Sequence, residues 1–284
     1  GYGRQTNPLL AKEDVVSFRQ MTSCGTDTSW SIPCMFSSLN RSNYNHKEGK
    51  NMSNALDIIN GAGVEVLWLE NNSDSKGVAD RISYIDFRSK DVNPVCDIEC
   101  RDEGMLNGLK DYIEGQSGRD TLVVMHTMGS HGPAYYKRYP SPFEVFSPAC
   151  QTKQLNECSN KEINNAYDNT IVYTDFVLSR LINLFKKYPL GKEIAIFYVS
   201  DHGESLGESG IYLHGMPYLI APNEQKQVAA IMWFNKEFSE SLDMNMISEK
   251  INWPLSHDNL FHTLLGLMNI NTELYQEKMD IIAQ

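Results

Sequence analysis

The sequence predicts an α/β fold in which helices sandwich a mostly parallel sheet. Short apolar runs typical of strands alternate with helical patterns along the chain, and this order favours parallel strands. The 284 residues are enough to bury a substantial core, as one large domain or two small ones. No segment has the composition of a linker, so we interpret residues 1–284 as one domain.

The first half of the chain contains one helical pattern and two strand patterns. Residues 50–60 have apolar side chains at helical spacing and end at Gly61-Ala62-Gly63. The apolar run over residues 64–69 predicts the strand that follows. A second strand is predicted over residues 121–125 and ends at His126.

The second half continues the alternation. The longest helical pattern covers about residues 163–188 and carries lysines near its end, where cations suit the helix dipole. Strands are predicted over residues 194–199 and 228–234, and a helix over residues 260–267. The long polar connections between these elements are of the kind that is functional or covalently tied down.

The charge balance argues against one class of partner. The formal net charge is −11, and without a run rich in Lys and Arg the chain has no surface for nucleic-acid phosphates. No segment approaches the roughly 20 apolar residues that cross a bilayer. The chain opens with Gly-Tyr-Gly-Arg rather than with a signal sequence. We therefore expect an excised soluble domain, and we expect it to be a monomer.

The six cysteines fall into three close pairs. Several connectivities are possible, but pairing between nearest neighbours is the simplest. A zinc site is the alternative, although no CxxC pair occurs and the spacings vary. We favour disulfides, which indicate an oxidising compartment outside the cytoplasm. The pairs are Cys24 with Cys34, Cys96 with Cys100, and Cys150 with Cys158.

A cluster of candidate metal ligands follows the predicted strand that ends at residue 199. Asp201 and His202 come where the apolar run stops, and loops beyond the carboxyl ends of strands are where α/β proteins bind ligands. Both side chains can reach one ion only if the chain turns at once, which Gly203 permits. Glu204 and His214 are close enough in sequence to join them, and this donor set suits Zn²⁺. The simpler alternative is a polar surface loop.

The other histidines are weaker candidates. His131 lies in the loop after the strand over residues 121–125 and is expected at the same sheet edge as the cluster. His126 is more simply a hydrogen-bonded core histidine, and His46 a solvated loop residue. His257 has the position of a helix-start residue, with His262 on that helix.

The candidate nucleophile is Thr28, in a hydroxyl-rich loop between Cys24 and Cys34. If these cysteines are bridged, the loop is rigid enough to aim one hydroxyl. A threonine hydroxyl is a poor nucleophile until a metal or a base removes its proton. On this segment alone a helix N-cap is the simpler interpretation of Thr28. Lys76 could hold an anionic phosphate, although a solvated lysine is the default.

Six motifs, in this order, resemble the lipid A phosphoethanolamine transferases of Gram-negative bacteria, which include the mobile colistin-resistance enzymes. The resemblance covers nearly the whole chain. The motifs are Gly-Tyr-x-Arg-x-Thr-Asn-Pro at the start, Ser-Cys-Gly-Thr-x-Thr ending at Thr28, Asp74-Ser75-Lys76-Gly77, His131-Gly132-Pro133, Tyr167-Asp168-Asn169, and Ser200-Asp201-His202-Gly203-Glu204-Ser205-Leu206-Gly207-Glu208.

The resemblance implies an alkaline-phosphatase-like, or sulfatase-like, α/β fold with three local disulfides. It implies a location at the periplasmic face of the bacterial inner membrane. In the family, a transmembrane domain and a Gly-Glu-Thr segment with a zinc-binding glutamate precede the catalytic domain. We expect both segments to be absent from this chain.

The resemblance also implies roles for individual residues. Thr28 takes up phosphoethanolamine and, with Asp201 and His202, holds the catalytic zinc. His131 and His214 surround the phosphoethanolamine group and can hold a second zinc. The other substrate-binding positions match Lys76, Asn72 and Glu204. Beside the nucleophile, Asp27 and Trp30 depart from the small or apolar residues common in relatives.

The implied reaction has two displacements. Zinc-bound Thr28 attacks phosphatidylethanolamine and releases diacylglycerol, and a phosphate of lipid A then takes the phosphoethanolamine from the threonine. In the family, the added ethanolamine weakens the binding of polymyxins such as colistin. Two alternatives stay open: a sulfatase or phosphodiesterase of the same superfamily, in which water is the acceptor, and a periplasmic metal-binding module without turnover.

Overall fold

The structure is a computed structural model that describes residues 3–116, 118–186 and 192–283. The strands of the described chain are β1 (Val15–Thr22), β2 (Glu65–Glu70), β3 (Ser83–Asp86), β4 (Thr121–His126), β5 (Ala195–Val199), β6 (Ser205–Leu206), β7 (Tyr212–Leu213), β8 (Gln227–Phe234) and β9 (Leu255–Ser256). The helices are α1 (Thr28–Met35), α2 (His46–Gly49), α3 (Ala55–Gly61), α4 (Leu109–Gly115), α5 (Asn160–Lys186), α6 (Lys236–Ser241), α7 (Met244–Glu249) and α8 (Asp258–Leu267).

These strands form two larger sheets and one short hairpin. The three-stranded sheet has the order β3-β2-β4, and all its strands are parallel. In the four-stranded sheet, of order β5-β8-β1-β9, three strands share one direction and β8 runs against them. The predicted parallel arrangement therefore holds in the two larger sheets apart from β8, and the short β6–β7 hairpin is antiparallel. An apolar run has the same pattern in both directions, so the sequence of β8 did not reveal its orientation.

The sheets are covered by helices on both faces, as the α/β prediction requires. Alternate residues of β4 divide between two cores: Leu122 and Val124 pack with α3 and α8, whereas Val123 and Met125 pack with α4 and α5. β5 divides in the same way. This alternation follows from the period of two in a strand. Because helices occupy both faces, the carboxyl ends of the strands remain available for a site.

Several predicted elements occur with shifted ends. The helix predicted over residues 50–60 is α3, which begins later because Asn54 and Asp57 form a capping box. The long helix begins at Asn160, and its predicted end at residue 188 lies outside the described residues, as do the first two residues of the opening motif. β1 was not predicted, because its burial follows no strict alternation.

The three cysteine pairs are bonded as expected from nearest-neighbour pairing, and the zinc alternative for them is wrong. Each bond closes a loop of the polar connections between strands. Among the described residues, no helix combines the length and apolar character that a membrane span requires.

The core around α8 generates a stability prediction. Leu265 is completely buried in the cluster that joins α8 to α3 and β2. Replacing Leu265 by Ala removes apolar contacts and leaves a cavity, so we expect Leu265→Ala to lower the free energy of unfolding by about 2–5 kcal/mol. Urea denaturation measures this change. The matched control is Leu274→Ala: Leu274 is 45% exposed, so its change should stay within about 0.5 kcal/mol. Equal losses in the two variants would contradict the packing described.

Candidate metal centre and nucleophile

Thr28 is the first residue of α1 and lies beside the strand-end cluster. Its side chain is almost buried, and its Oγ1 lies 3.3 Å from Nε2 of His202. The N-cap is Asp27, whose Oδ1 accepts the backbone N–H of Trp30 at 3.0 Å. The interpretation of Thr28 as the cap is therefore wrong. Because Asp27 satisfies the helix start, the Thr28 hydroxyl is free to point at His202.

The loop before Thr28 is held by short-range bonds. The Cys24–Cys34 disulfide closes it. The Gly25 backbone N–H donates to Oγ of Ser31 at 2.9 Å. A Cβ at Gly25 would lie 2.7 Å from the Trp30 ring, so only glycine fits under that ring. These contacts fix the direction of the Thr28 hydroxyl.

The turn after β5 brings Asp201 and His202 to the same point. Gly203 makes the turn possible, as predicted, but the reason is a close approach: a Cβ there would lie 2.0 Å from the carbonyl oxygen of Glu224. The Gly203 N–H donates to the carbonyl of Gln225 at 3.1 Å. The chain before β8 therefore closes over the turn.

Three histidines present the same nitrogen to the site. Nδ1 of His202 lies 2.9 Å from the Gly203 carbonyl, and Nδ1 of His131 lies 2.7 Å from the Gly132 carbonyl. Nδ1 of His214 lies 2.7 Å from Oε2 of Glu204. Since these oxygens only accept, each Nδ1 carries a proton and donates it. When such a ring is neutral, its lone pair is therefore on Nε2, which is how protein scaffolds prepare histidines to bind metals.

The three rings lie together, as the sequence predicted. The ring centres of His202 and His214 are 4.2 Å apart, and those of His131 and His214 are 5.3 Å apart. Ligand atoms of His202, Glu204 and His214 all lie within 4.8 Å of one another. Burial alone would lower the pKa of His214, but the Glu204 carboxylate outweighs it and the pKa is raised.

Asp201 shows whether the buried side chains of this cluster fit a metal ion. Its Oδ2 is buried without a hydrogen-bond partner and lies 3.7 Å from Nε2 of His202. Burial alone would raise the pKa of Asp201, but His202 and the Thr28 hydroxyl outweigh it and lower the pKa, so the carboxylate is charged. An ionised oxygen without a partner is costly unless a cation meets it. Asp201, His202 and Thr28 therefore fit a zinc ion.

Glu204 has a second contact that the sequence analysis missed. Oε1 of Glu204 accepts the Tyr135 hydroxyl at 2.5 Å, so both carboxylate oxygens are used. Tyr135 is 1% exposed and lies just beyond the His131-Gly132-Pro133 motif. A tyrosine in a polar loop gave no signal of this role, because the contact joins residues far apart in sequence.

The loop of His131 is supported from two sides. The Arg138 Nε donates to the His131 carbonyl at 2.6 Å, and Arg138 also pairs with Glu99, inside the Cys96–Cys100 loop. On the other side, the Thr170 hydroxyl lies 2.6 Å from the Ser130 hydroxyl. A disulfide loop and helix α5 thus hold the histidine in place.

His257 occupies the N-cap position of α8, as predicted, but its side chain has a further role. It precedes α8 but makes no side-chain cap. Its Nδ1 accepts the Cys24 backbone N–H at 3.0 Å, so the proton is on Nε2, which lies 3.0 Å from the Ser200 carbonyl. Burial lowers the pKa of His257 to about 4, so the ring is neutral. It connects the loop of Thr28 to the loop of Asp201.

Two residues that the sequence analysis assigned to substrate binding have protein partners in the fold. The Lys76 ammonium is 3.3 Å from Oδ1 of Asp74. The Asn72 side chain donates to the Thr127 carbonyl at 3.0 Å and connects the loops after β2 and β4. Their roles in substrate binding stay predictions.

The remaining histidines are structural in different ways. His126 is buried with Nδ1 2.9 Å from Oε2 of Glu70, and its Nε2 has no partner, so it is only half satisfied. The expectation for His46 is wrong: it begins α2 and packs edge-on against Trp30, with ring centres 4.7 Å apart. Aromatic packing from a distant segment cannot be read from a local polar sequence. His262 is buried on α8 and accepts the Gln276 N–H.

Two curated relatives resemble nearly the whole chain. Phosphoethanolamine transferase EptA of Escherichia coli strain K12 is 43% identical over 286 residues, which cover 99% of this chain and 52% of the relative. Phosphatidylethanolamine transferase Mcr-1 of Escherichia coli is 41% identical over 290 residues, with 99% and 52% covered. The chain spans about half the length of the curated relatives it matches.

Solved structures agree with the predicted fold. The soluble domain of lipooligosaccharide phosphoethanolamine transferase A from Neisseria meningitidis matches with a TM-score of 0.95 and 41% identity, over 100% of this chain and 86% of that one. The integral membrane form of the same transferase also has a TM-score of 0.95 and 41% identity, over 100% of this chain and 54% of that one. An alkaline phosphatase superfamily protein from Vibrio parahaemolyticus, at 13% identity and a TM-score of 0.61 over 95% and 63%, shares the fold alone.

These comparisons confirm the alkaline-phosphatase-like fold and the family resemblance. The family model described as Sulfatase matches residues 1–270, a range that contains the loop of Thr28, the turn at Asp201 and the loop of His214. The chain belongs to the sulfatase family of the alkaline phosphatase superfamily, and it is similar to the phosphoethanolamine transferases of that family.

Proposed function

We propose that this domain transfers phosphoethanolamine from phosphatidylethanolamine to lipid A through a covalent intermediate on Thr28. The observation that carries the proposal is the position of the Thr28 hydroxyl, which lies almost buried and 3.3 Å from His202. Two similar proteins are a phosphoethanolamine transferase and a phosphatidylethanolamine transferase, which supports both the transferred group and its donor. Polymyxin resistance would follow from the less anionic lipid A.

The whole protein would act at the periplasmic face of the inner membrane. The integral membrane relative supports a membrane domain that delivers the lipid, and the three disulfides support an oxidising compartment. The two Neisseria structures are of a lipooligosaccharide phosphoethanolamine transferase, which supports an acceptor of the lipid A class.

The residues that would hold zinc are Thr28, Asp201 and His202, and His131 with His214 would hold a second ion or the substrate phosphate. When bound, zinc would favour the deprotonated Thr28 hydroxyl and offset negative charge at phosphorus. The chain orients His202 for zinc binding. Nδ1 of His202 donates to the Gly203 carbonyl at 2.9 Å, which leaves Nε2 as the electron-pair donor.

The first displacement would form a bond from Oγ1 of Thr28 to the phosphorus of the donor. The bond from phosphorus to the glycerol oxygen breaks. The glycerol oxygen takes up a proton, and diacylglycerol leaves. In the second displacement a phosphate oxygen of lipid A attacks the same phosphorus and frees Thr28.

His131 and His214, whose ring centres are 5.3 Å apart, would contact phosphate oxygens, with Lys76 as a further cation. Glu204, next to His214, would attract the ethanolamine ammonium.

The nucleophile generates the first prediction. After incubation of the protein with zinc and phosphatidylethanolamine, peptide mass spectrometry should find phosphoethanolamine on Thr28. Thr28→Ala should abolish the adduct because no hydroxyl remains to attack. The matched control is Ser29→Ala: Ser29 is exposed and bonded to Asp27, so the adduct should persist. Donor hydrolysis with no adduct on the unaltered protein would favour the hydrolase alternative, and neither product would favour the binding module.

A second prediction concerns the metal. Asp201→Asn removes the charge that its unpartnered Oδ2 offers to a cation, so zinc affinity should fall on the order of 100-fold or more, as expected for loss of a ligand rather than of its support. Competition with a fluorescent chelator measures the affinity. Asp86→Asn is the control, because the Asp86 side chain is half-exposed and already paired with Arg88. Unchanged affinity in Asp201→Asn would refute this assignment of the zinc site.

His257 generates a third prediction, for a positioning residue. His257→Ala removes both bonds between the loops of Thr28 and Asp201, so the rate of adduct formation should fall by about 10- to 100-fold, the effect of small displacements of reacting groups. His262→Ala is the control, since His262 is equally buried on α8 but bonds to Gln276. Both variants lose stability; only His257→Ala should slow the reaction at full zinc occupancy. Equal rates would contradict the positioning role.

A further inference from the structure

The loop over residues 215–222, which connects β7 to β8, ends in an exposed apolar tip. Leu219 is 93% exposed and Ile220 is 69% exposed. Single exposed apolar side chains are normal on a protein surface and need no explanation. Two adjacent aliphatic side chains at the end of one loop are different, because together they offer an apolar surface that the rest of this domain leaves uncovered. We call Leu219 and Ile220 the apolar tip.

The loop that carries the apolar tip is not a free segment. The Ile220 and Ala221 N–H groups both donate to the Pro217 carbonyl, at 3.0 and 2.9 Å, which folds the loop into a tight turn. The Met216 N–H donates to Oε1 of Gln225 at 3.2 Å, and Gln225 is completely buried. The tip is therefore presented in a fixed direction.

The same loop is attached directly to the loop of the nucleophile. The Gly215 N–H donates to the Thr26 carbonyl at 2.8 Å, and the Thr26 hydroxyl donates to the Met216 carbonyl at 2.6 Å. The Tyr218 hydroxyl donates to the Ser23 carbonyl at 2.9 Å. Since Thr26 is two residues from Thr28, the loop of the apolar tip is attached to the segment that carries the nucleophile.

Two cations lie at the base of the apolar tip. The Arg41 guanidinium lies over the Tyr218 ring, 3.3 Å from its centre, and the Lys226 ammonium lies 5.5 Å from the same centre. The Arg41 backbone N–H donates to Asp258 at 2.7 Å, which holds that residue in position. The whole chain has a net charge of −11, whereas both charged side chains at the Tyr218 ring are cations.

An apolar tip above a tyrosine and two cations matches the profile of a lipid interface. Aliphatic side chains suit the acyl region, and Lys or Arg suits lipid phosphates, whereas the Tyr218 ring positions the two cations. A protein partner would have to place carboxylates opposite both cations, whereas every phospholipid carries a phosphate at that level. The charge arrangement therefore favours a phospholipid surface.

We propose that Leu219 and Ile220 insert into the surface of a phospholipid bilayer, with Arg41 and Lys226 at the lipid phosphates. This contact would bring Thr28 to the level of the headgroups, and in that respect it rests on the proposed function. The contact belongs to this domain itself and is separate from any transmembrane segment. It would let the domain take a donor headgroup without extracting the whole lipid.

The test uses vesicles of phosphatidylcholine and phosphatidylglycerol with EDTA present, so that neither an ethanolamine headgroup nor a metal engages the site. The protein should cosediment with these vesicles. Each aliphatic side chain that leaves water contributes about a tenfold gain in partition. Because the two gains multiply, the double variant Leu219→Ser with Ile220→Ser should bind about 100-fold more weakly. The control is Trp253→Ser: Trp253 is an apolar residue, 53% exposed, before β9, and its loss should leave binding unchanged.

A second measurement locates the contact. A cysteine at Leu219 (Leu219→Cys), labelled with an environment-sensitive fluorophore, should shift its emission to the blue on vesicle addition and be quenched by spin-labelled lipids. Ser241→Cys is the control, because Ser241 ends α6, beyond the end of β8 at the opposite sheet edge. Lys226→Gln should weaken binding only when phosphatidylglycerol is present.

The inference would be overturned if the double variant bound vesicles as well as the unaltered protein, or if the label at residue 219 stayed in water. Failure of the unaltered protein to bind would also overturn it and would favour a protein segment as the occupant of the tip. Thr28→Ala should bind vesicles normally, so loss of the transfer activity and loss of the membrane contact give separate results.

Discussion

The site depends on one buried imidazole that joins two loops from different strands. His257 accepts the Cys24 N–H and donates to the Ser200 carbonyl, and these residues follow β1 and β5, which β8 separates within the sheet. A buried N–H or carbonyl without a partner is costly. The two loops therefore keep their relative positions as long as the neutral ring stays between them. The direction of the Thr28 hydroxyl toward His202 follows from that constraint.

The reversed direction of β8 has a second consequence for the site. Because β8 runs against its neighbours, its first residue lies at the edge where β1 and β5 end. The preceding chain must return over that edge. Gln225 uses this position: its carbonyl accepts the Gly203 N–H, and its side chain donates to Ser205 and Leu213. The buried Gln225 thus connects the turn that carries Asp201 and His202 to the β6–β7 hairpin, which precedes His214. The apolar tip lies at the same edge of the sheet.

Short covalent and hydrogen-bonded loops take the place of regular structure around the chemistry. The Cys24–Cys34 disulfide closes the segment that carries Thr28, and the Cys96–Cys100 loop supplies Glu99, which holds Arg138 and through it His131. Polar loops lose much conformational entropy when they are ordered. In the chain-entropy model, a disulfide lowers this cost because it already restricts the unfolded chain. This arrangement orders the polar segments that carry Thr28 and His131.

Local patterns in the sequence determined the α/β class, the main strands and helices, the cysteine pairing, and the cluster of Asp201, His202 and His214, because these depend on neighbours along the chain. Homologous motifs indicated Thr28 as the nucleophile. The sequence did not determine the direction of β8, the contact of Tyr135 with Glu204, or the bridge made by His257. Each of these joins segments far apart in sequence, so its free energy exists only when the chain is folded. Only the tertiary structure decided which nitrogen of each histidine faces the site, because the acceptor on the other nitrogen comes from the folded backbone or from Glu204.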